Sequence, residues 1–284
     1  MKSHTPESRA SEIELAGDWW RRQLTALLAQ PREPGADDVK QSHSATVRTA
    51  LLDRDGEAPL AVIVKRPRAR NWRRWLRHLL PPSRSRRGWQ AGHALLHRYI
   101  AAARPLALLE RRLGPFVVDS LLLTERIGGA MDLATYLERG TDARAGRGWI
   151  RDKRGLIEKL ARHVRQLDQA GFVHRDCKPE NVLLLTRPEL RLVWVDMDGV
   201  QYCRRPASEA ERLRPLVRLE AALHEHPALT RTDRVRFLKT YCGGIGRDPH
   251  AWRRVWHAVA PRVAGKLAQR QTRREWKLRH YGRV

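Results

Sequence analysis

The stretch over residues 172–199 constrains this chain more than any other part of its sequence. It contains FVHRDCKPENVLLL, a short polar turn, and then LVWVDMDG. The two apolar runs flanking the turn predict a hairpin of Val182–Leu185 and Leu192–Val195. A hairpin brings together the residues at its open end, so Asn181 and Asp196 are expected to lie side by side, although fifteen positions separate them.

The polar residues before this hairpin have the spacing H-R-D-x-K-x-x-N. Phosphoryl transfer from a metal-bound nucleotide needs a carboxylate that orients the attacking hydroxyl, for which Asp176 is the candidate. Lys178 is placed to neutralise charge on the transferred group. Mg²⁺ prefers oxygen ligands, which Asn181 and Asp196 can supply beside phosphate oxygens. The alternative is a polar loop that merely caps the hairpin. Five residues of the expected kind at the expected spacing, with Asp196 further along the chain, argue against it.

Strand patterns dominate the first part of the chain. The runs Ala45–Leu52 and Leu60–Val64 flank an Asp/Gly turn and predict a hairpin. Lys65 closes the second run and matches the V-A-I-K pattern, whose Lys holds nucleotide phosphates; a solvated Lys at a strand end is the alternative. No G-x-G-x-x-G occurs between Val39 and Lys65, so any phosphate-covering turn would be Lys40–Ala45, using Ser42, Ser44 and backbone N–H groups.

Helical patterns dominate after Gly129. The run Val117–Thr124 predicts one more buried strand, and helices are expected over Ser85–Ala103, Met131–Arg139 and Trp149–Ala170. The remainder, residues 205–284, also has a helical pattern. The chain therefore has a β-rich first part and a helical second part with one small hairpin, which is an α+β order.

Charge and cysteine content narrow the range of partners and compartments. The 284 residues include 56 Lys and Arg against 31 Asp and Glu, a formal net charge of +25, which predicts a polyanionic partner. Three cysteines without a C-x-x-C pair support neither a disulfide framework nor a zinc site. The polar N-terminus and the absence of an apolar run near ~20 residues predict a cytoplasmic protein.

The most basic segment, residues 65–87, has ten Lys and Arg and no acid. Trp72 and Trp75 lie on one helical face there, with arginines elsewhere. Core packing beneath a solvated basic face, contact with an anionic membrane surface, and nucleic-acid binding are the three interpretations. Nucleic acid is the least favoured of these, because the chain contains no nucleic-acid-binding motif.

Taken together, these motifs resemble the protein-kinase-like superfamily and, more narrowly, the bacterial lipopolysaccharide kinase family of Kdo and heptose kinases. That family typically has an Asp-x-Asp turn in place of D-F-G, as Asp196-Met-Asp198 has here. The segments Ser83–Trp89, Pro105–Glu110 and Thr230–Tyr241 are also similar to the family. The resemblance spans roughly residues 40–245.

The resemblance implies a two-lobed protein-kinase-like fold. A small β-rich lobe, residues 36–127, would follow an extension over residues 1–35 and bind nucleotide. A mainly helical lobe, residues 128–284, would carry the catalytic loop, the acceptor site and a basic C-terminal tail. In the superfamily the hinge backbone meets the adenine edge, which corresponds here to Glu125 and Ile127. The alternative for Glu125 is a structural role, in which its side chain is hydrogen-bonded within a turn.

The implied activity is ATP- and Mg²⁺-dependent phosphorylation of a sugar hydroxyl, on Kdo or heptose of the lipopolysaccharide inner core. The acceptor would be a lipid-A-linked sugar, met at the cytoplasmic face of the inner membrane. A protein serine/threonine kinase is one alternative, although no segment ending in A-P-E follows Asp198. A non-catalytic, kinase-like basic binding protein is another, because the predicted helix Ser85–Ala103 has no acid to pair with Lys65.

Overall fold

The computed structural model describes residues 18–27, 38–42, 45–54, 57–68, 82–141, 147–203, 207–243 and 248–281. Its backbone divides into two compact units, which differ in their secondary structure. The β-rich unit comprises Met1–Trp89 and Arg104–Arg126, and the helical unit comprises Gln90–Ala103 and Ile127–Val284. The predicted mixed fold, with a sheet-rich first part and a helical second part, is confirmed. The functional division at residues 36–127 and 128–284 stays a prediction.

The β-rich unit is built on a five-stranded antiparallel sheet with the strand order β1-β2-β3-β5-β4. Its strands are β1 (Asp38–Ser42), β2 (Ala45–Arg54), β3 (Glu57–Pro67), β4 (Pro105–Leu113) and β5 (Phe116–Glu125). The pair β2 and β3 is the predicted hairpin, with Leu51 opposite Ala61. The strand predicted over Val117–Thr124 lies within β5.

Apolar residues of the central strands form the core of the β-rich unit. Val62 and Val64 of β3 point to the same face, because alternate side chains share a face, and both are buried with Leu123 of β5. A helix over residues 18–27, α1, covers the same core and buries Leu27 against it. This core supports β3, the strand that contains Lys65.

The helix α2 (Arg84–Leu96) ends seven residues earlier than the helix predicted over Ser85–Ala103. The chain beyond it pairs with Trp194 instead. The Ala103 N–H donates to the Trp194 carbonyl, and the Trp194 N–H donates to the Ala101 carbonyl, both at 2.9 Å. These strand-type bonds satisfy the backbone groups that a longer helix would have used.

The helical unit is organised around the helix α4 (Arg147–Gln169). Its other elements are β6 (Met131–Asp132), α3 (Leu133–Arg139), β7 (Phe172–His174), β8 (Val182–Leu185), β9 (Arg191–Trp194), β10 (Val200–Tyr202), α5 (Glu209–Leu223), α6 (Arg231–Cys242) and α7 (Ala251–Tyr281). Leu156, Leu160, Val164 and Leu167 form a buried stripe along α4, as the helical period requires. The unit packs its other helices and its small hairpin around this stripe.

Two predicted elements of the helical unit shift slightly. The helix predicted from Met131 begins at Leu133, because Met131 and Asp132 pair with β8 and the Asp132 side chain then accepts the N–H of Thr135 at 3.0 Å. The hairpin predicted over Val182–Leu185 and Leu192–Val195 is present as β8 and β9, with the second strand one residue earlier.

Part of the basic segment, residues 69–81 with Trp72 and Trp75, lies outside the described residues, as does Ser44. The three interpretations of that segment therefore stay open. Within the described part of the chain, no helix has the length and apolar character needed to cross a membrane.

Candidate active site

Strand pairing anchors the loop that carries Asp176. β7 pairs with β10, which puts His174 opposite Val200. One residue later, the Arg175 N–H donates to the Gly199 carbonyl at 2.9 Å. Backbone bonds therefore position Asp176 directly after the last paired residue of the strand.

Asn181 connects the other end of this loop to the hairpin. Its side-chain Nδ2 donates to the Asp176 carbonyl at 2.8 Å. Its own carbonyl accepts the N–H of Val195 at 3.0 Å, so the backbone of Asn181 is bonded to the residue that precedes Asp196. The joint metal-binding role of Asn181 and Asp196 stays a prediction. Asp196 itself has φ 60° and ψ 50°, a left-handed conformation that is uncommon outside Gly, Asn and Asp.

The Asp176 carboxylate lies between two cations. Arg218 of α5 donates to Oδ1 from Nε at 2.9 Å and from Nη2 at 2.6 Å, and the Lys178 Nζ is 2.8 Å from Oδ2. Burial raises the pKa of Asp176, but hydrogen bonds and charge from Lys178 and Arg218 outweigh burial and leave the pKa below its usual range. The side chain is 32% exposed. The group is therefore an ionised carboxylate that solvent can reach.

Arg218 is the residue of this arrangement that sequence reasoning missed. Its neighbours Leu216, Val217 and Leu219 are buried. A charged residue inside an apolar run needs a partner when the run packs, and this was the available signal. The pattern does not reveal that the partner is Asp176, 42 residues away.

Buried aromatic rings support the start of the loop. The His174 ring meets Trp194 edge-on at 5.1 Å, and His163 of α4 stacks on the same indole at 4.9 Å. Burial lowers the pKa of His163 and of His174 to about 4. Both rings are neutral near pH 7, so His174 acts as a packing residue rather than as an acid or base.

Two of the predicted phosphate contacts, Lys65 and Ser42, lie on strands of the β-rich unit. Lys65 of β3 sits opposite Val47 of β2 and Leu122 of β5, near the end of the central strand. Ser42 is the last residue of β1. The roles predicted for Lys65, Ser42 and Ser44 stay predictions.

The Glu125 side chain has a contact within the β-rich unit. Its carboxylate accepts the N–H of Arg104 at 2.8 Å, and its own N–H donates to the Arg104 carbonyl at 2.9 Å. The carboxylate thus satisfies a backbone group where β4 approaches. An adenine contact by the backbone of Glu125, or by that of Ile127, stays a prediction.

An ionic cluster joins α2 to β4 in the β-rich unit. The Glu110 carboxylate accepts from Arg86 and Arg112, each at 2.7 Å, and from the Ser83 hydroxyl at 2.7 Å. The hydrogen bond from Arg86 is the main reason that the pKa of Glu110 falls to about 2. The helix α2, which has no acidic residue, therefore contributes the cation Arg86 to this cluster.

Comparison with known proteins identifies the chain. The sequence model described as "Lipopolysaccharide kinase (Kdo/WaaP) family" matches residues 57–241, which include both the sheet strand with Lys65 and the loop with Asp176. The chain belongs to this family.

Known relatives of this lipopolysaccharide kinase agree with the assignment. It is 31% identical over 203 residues to the lipopolysaccharide core heptose(I) kinase WaaP of Pseudomonas aeruginosa, covering 68% of this chain and 73% of the relative. It is 29% identical over 162 residues to the WaaP of Escherichia coli, covering 55% and 59%. A solved structure of WaaP in complex with acyl carrier protein has a TM-score of 0.60 at 22% identity, covering 83% of this chain and 88% of that one.

The kinase is therefore a phosphotransferase that acts on a sugar hydroxyl in lipopolysaccharide core biosynthesis, and its fold is kinase-like. This finding supports the enzyme interpretation over a non-catalytic binding protein. It also favours a sugar acceptor over the protein serine/threonine kinase alternative.

The residues present fit a magnesium ion. The side-chain Nδ2 of Asn181 donates to the Asp176 carbonyl, so its Oδ1 is the atom that would bind the ion. Asp196 would add a carboxylate oxygen. Mg²⁺ takes few protein ligands when phosphate oxygens and water complete its octahedron. Among the described residues there is no group of three or more His, Cys, Asp or Glu side chains that could hold a metal ion.

Proposed function

We propose that this kinase transfers the γ-phosphate of ATP to a hydroxyl of heptose in the lipopolysaccharide inner core, with Kdo as the alternative sugar. The observation that carries the proposal is the ionised, solvent-accessible Asp176 carboxylate, held by Lys178 and Arg218. Heptose is favoured because the relatives from Pseudomonas aeruginosa and Escherichia coli are both named heptose(I) kinases.

The proposed chemistry uses Asp176 to align the acceptor hydroxyl and to take its proton as the new O–P bond forms. The bond between the γ-phosphorus and the bridging oxygen of ATP breaks in the same step, and ADP leaves. A carboxylate with a low pKa is a weak base, so alignment is its main contribution and the proton moves late. Lys178 neutralises charge on the transferred phosphoryl group. Asn181 and Asp196 hold Mg²⁺, which supplies further charge neutralisation at the phosphates when it is bound.

Nucleotide binding is proposed for the residues predicted from sequence. Lys65 contacts the α- and β-phosphates, and Ser42 and Ser44 cover them with the neighbouring N–H groups. The backbone of Glu125 and of Ile127 meets the adenine. Support comes from the position of Lys65 at the end of a central strand whose core is well packed.

We propose that the reaction takes place at the cytoplasmic face of the inner membrane. The formal charge of +25 suits a lipid-linked, anionic acceptor, because basic surfaces are attracted to anionic headgroups. The same charge alone would suit nucleic acid, but the family assignment does not call for it.

An acyl carrier protein is a further proposed partner, since a relative was solved in complex with one. Calorimetry with acyl carrier protein tests this partner: binding is expected, and the absence of binding would contradict the proposal.

Phosphorylation of purified core oligosaccharide tests the proposed function. The protein is incubated with Mg·ATP and with oligosaccharide whose core phosphates have been removed, and tandem mass spectrometry then locates any phosphate gained. We expect one phosphate on heptose, and none with the Asp176→Asn variant. Labelling of a general protein substrate but not of the oligosaccharide would contradict the proposal.

A further inference from the structure

Four cationic side chains gather beside the catalytic carboxylate of the helical unit. Arg214 and Arg218 lie four positions apart on α5, and Lys266 and Arg270 lie four positions apart on α7, so each pair shares a helix face. The Nη1 of Arg270 donates to the carbonyl of Ala221. Ala221 lies within one turn of Arg218, so this bond puts the α7 pair next to the α5 pair.

The charged groups around Lys266 are mostly cations. Burial lowers the pKa of Lys266, and the charges of Arg218, Arg270 and Arg214 lower it further, whereas Asp176 acts in the opposite direction. The Asp176 carboxylate is also paired with Lys178. The charged groups that act on Lys266 are therefore three arginines against one carboxylate, an excess of positive charge.

Such an excess has an energetic consequence. Like charges held close together destabilise a folded protein, and an anionic ligand removes that repulsion. Donor groups are available for one: among the described residues, the Nη1 of Arg218 has no hydrogen-bond partner, and Arg214 is exposed. An oxyanion bound there would lie beside the carboxylate that aligns the acceptor hydroxyl.

We propose that Arg218, Lys266 and Arg270 form a binding site for a phosphate or carboxylate group of the acceptor, next to the hydroxyl that is phosphorylated. The inference rests on the proposed function, because it requires an acceptor that reaches Asp176. It adds that acceptor selection depends on a negative charge close to the reacting hydroxyl, recognised by α5 and α7.

Steady-state kinetics with Lys266→Met and Arg270→Met test this site. Two acceptors are compared: an anionic core oligosaccharide and a synthetic heptoside with neither phosphate nor carboxylate. With the anionic acceptor, each variant should raise KM about tenfold, the effect of losing one charged hydrogen bond. The KM for ATP and the KM for the neutral heptoside should stay within about twofold of the wild-type values.

Arg279→Met is the matched control, because it removes one positive charge from an exposed position near the end of the same helix. Its acceptor KM should equal that of the wild type. Thermal melting at low salt separates binding from folding: Lys266→Met should melt at the wild-type temperature or above it, because it relieves repulsion and keeps an apolar stem.

The outcomes keep the two proposals apart. Unchanged acceptor KM in both variants, with an active wild type, overturns the anion site and leaves the proposed function in place. Equal increases in KM for the anionic and the neutral acceptor also overturn it, because the residues would then act without recognising charge. A wild type that phosphorylates no core acceptor overturns the proposed function on which the site rests.

Discussion

Glu110 in the β-rich unit and Asp176 in the helical unit are both carboxylates held by arginine, and both have a pKa below the usual range. They differ in exposure, since the Glu110 side chain is 5% exposed and the Asp176 side chain 32%. The buried carboxylate of Glu110 joins α2 to β4, whereas the partly exposed carboxylate of Asp176 is accessible to a substrate. An ion pair and a shifted pKa therefore do not mark an active site until solvent access is known.

The two clusters also differ in how their charge is arranged along the chain. Glu110 meets Arg86 and Arg112, which lie within 24 residues of it. Asp176 meets Lys178 nearby but Arg218 from a helix 42 residues later, with the α7 cations beyond it. The first cluster is formed by residues close in the sequence, whereas the second brings Asp176 together with an arginine from a distant helix.

The comparison predicts its largest effect at Asp176. Asp176→Asn should lower kcat by about 10³-fold, because the hydroxyl loses the group that aligns it and takes its proton. Radiometric assay of core phosphorylation measures the loss, and circular dichroism checks that the fold is kept. A variant with more than a tenth of wild-type activity would contradict the catalytic role.

Glu110→Gln should affect stability rather than activity. With its pKa lowered to about 2 in the fold, Glu110 stabilises the folded state above the unfolded pKa near 4.5, and this contribution is lost as the pH falls through about 2. The variant should therefore lose about 3 kcal/mol of unfolding free energy at pH 7. Urea unfolding measures this difference.

The difference between wild type and Glu110→Gln should shrink between pH 5 and pH 2. Its kcat at 25 °C should stay close to the wild-type value, because Glu110 lies outside the reacting groups. A large loss of kcat with unchanged stability would reverse the assignment of the two carboxylates.

Arg218→Ala should have an intermediate effect, lowering kcat by about 30-fold through loss of the two bonds that position Asp176. Arg218 lowers the pKa of Asp176, so removing it should move the acidic limb of the pH–kcat profile to higher pH. Arg218→Lys should recover part of the activity, because it restores the charge without the bidentate geometry. If the acidic limb of the pH–kcat profile of Arg218→Ala stayed at the wild-type pH, Arg218 would have only a packing role.

The smallest effect is expected at an exposed ion pair. Glu158 of α4 lies 3.8 Å from Arg162 and 3.9 Å from Arg236, and its side chain is 42% exposed. Glu158→Gln should change the free energy of unfolding by less than about 0.5 kcal/mol, since solvent and salt screen such pairs. A loss above 2 kcal/mol in thermal or urea unfolding would show that exposure does not separate the two kinds of carboxylate.

Local contacts explain which parts of the fold could be predicted. The hairpin of β8 and β9 depends on residues fewer than twenty positions apart. Its apolar pattern and polar turn were therefore sufficient to predict it. The end of α2 at Leu96 could not be predicted in this way. It depends on Trp194, whose backbone bonds residues 101–103 about ninety positions earlier in the chain.

By itself, the sequence determined the mixed fold, the loop with Asp176 and Lys178, and the hairpin that bonds Asn181 to Val195, because short-range pairing controls each of them. Only the tertiary structure decided which cations surround Asp176. Arg218, Lys266 and Arg270 lie on helices whose rotation is set by the burial of their apolar faces. The direction in which a polar side chain points thus follows from the packing of the core, which no local pattern contains.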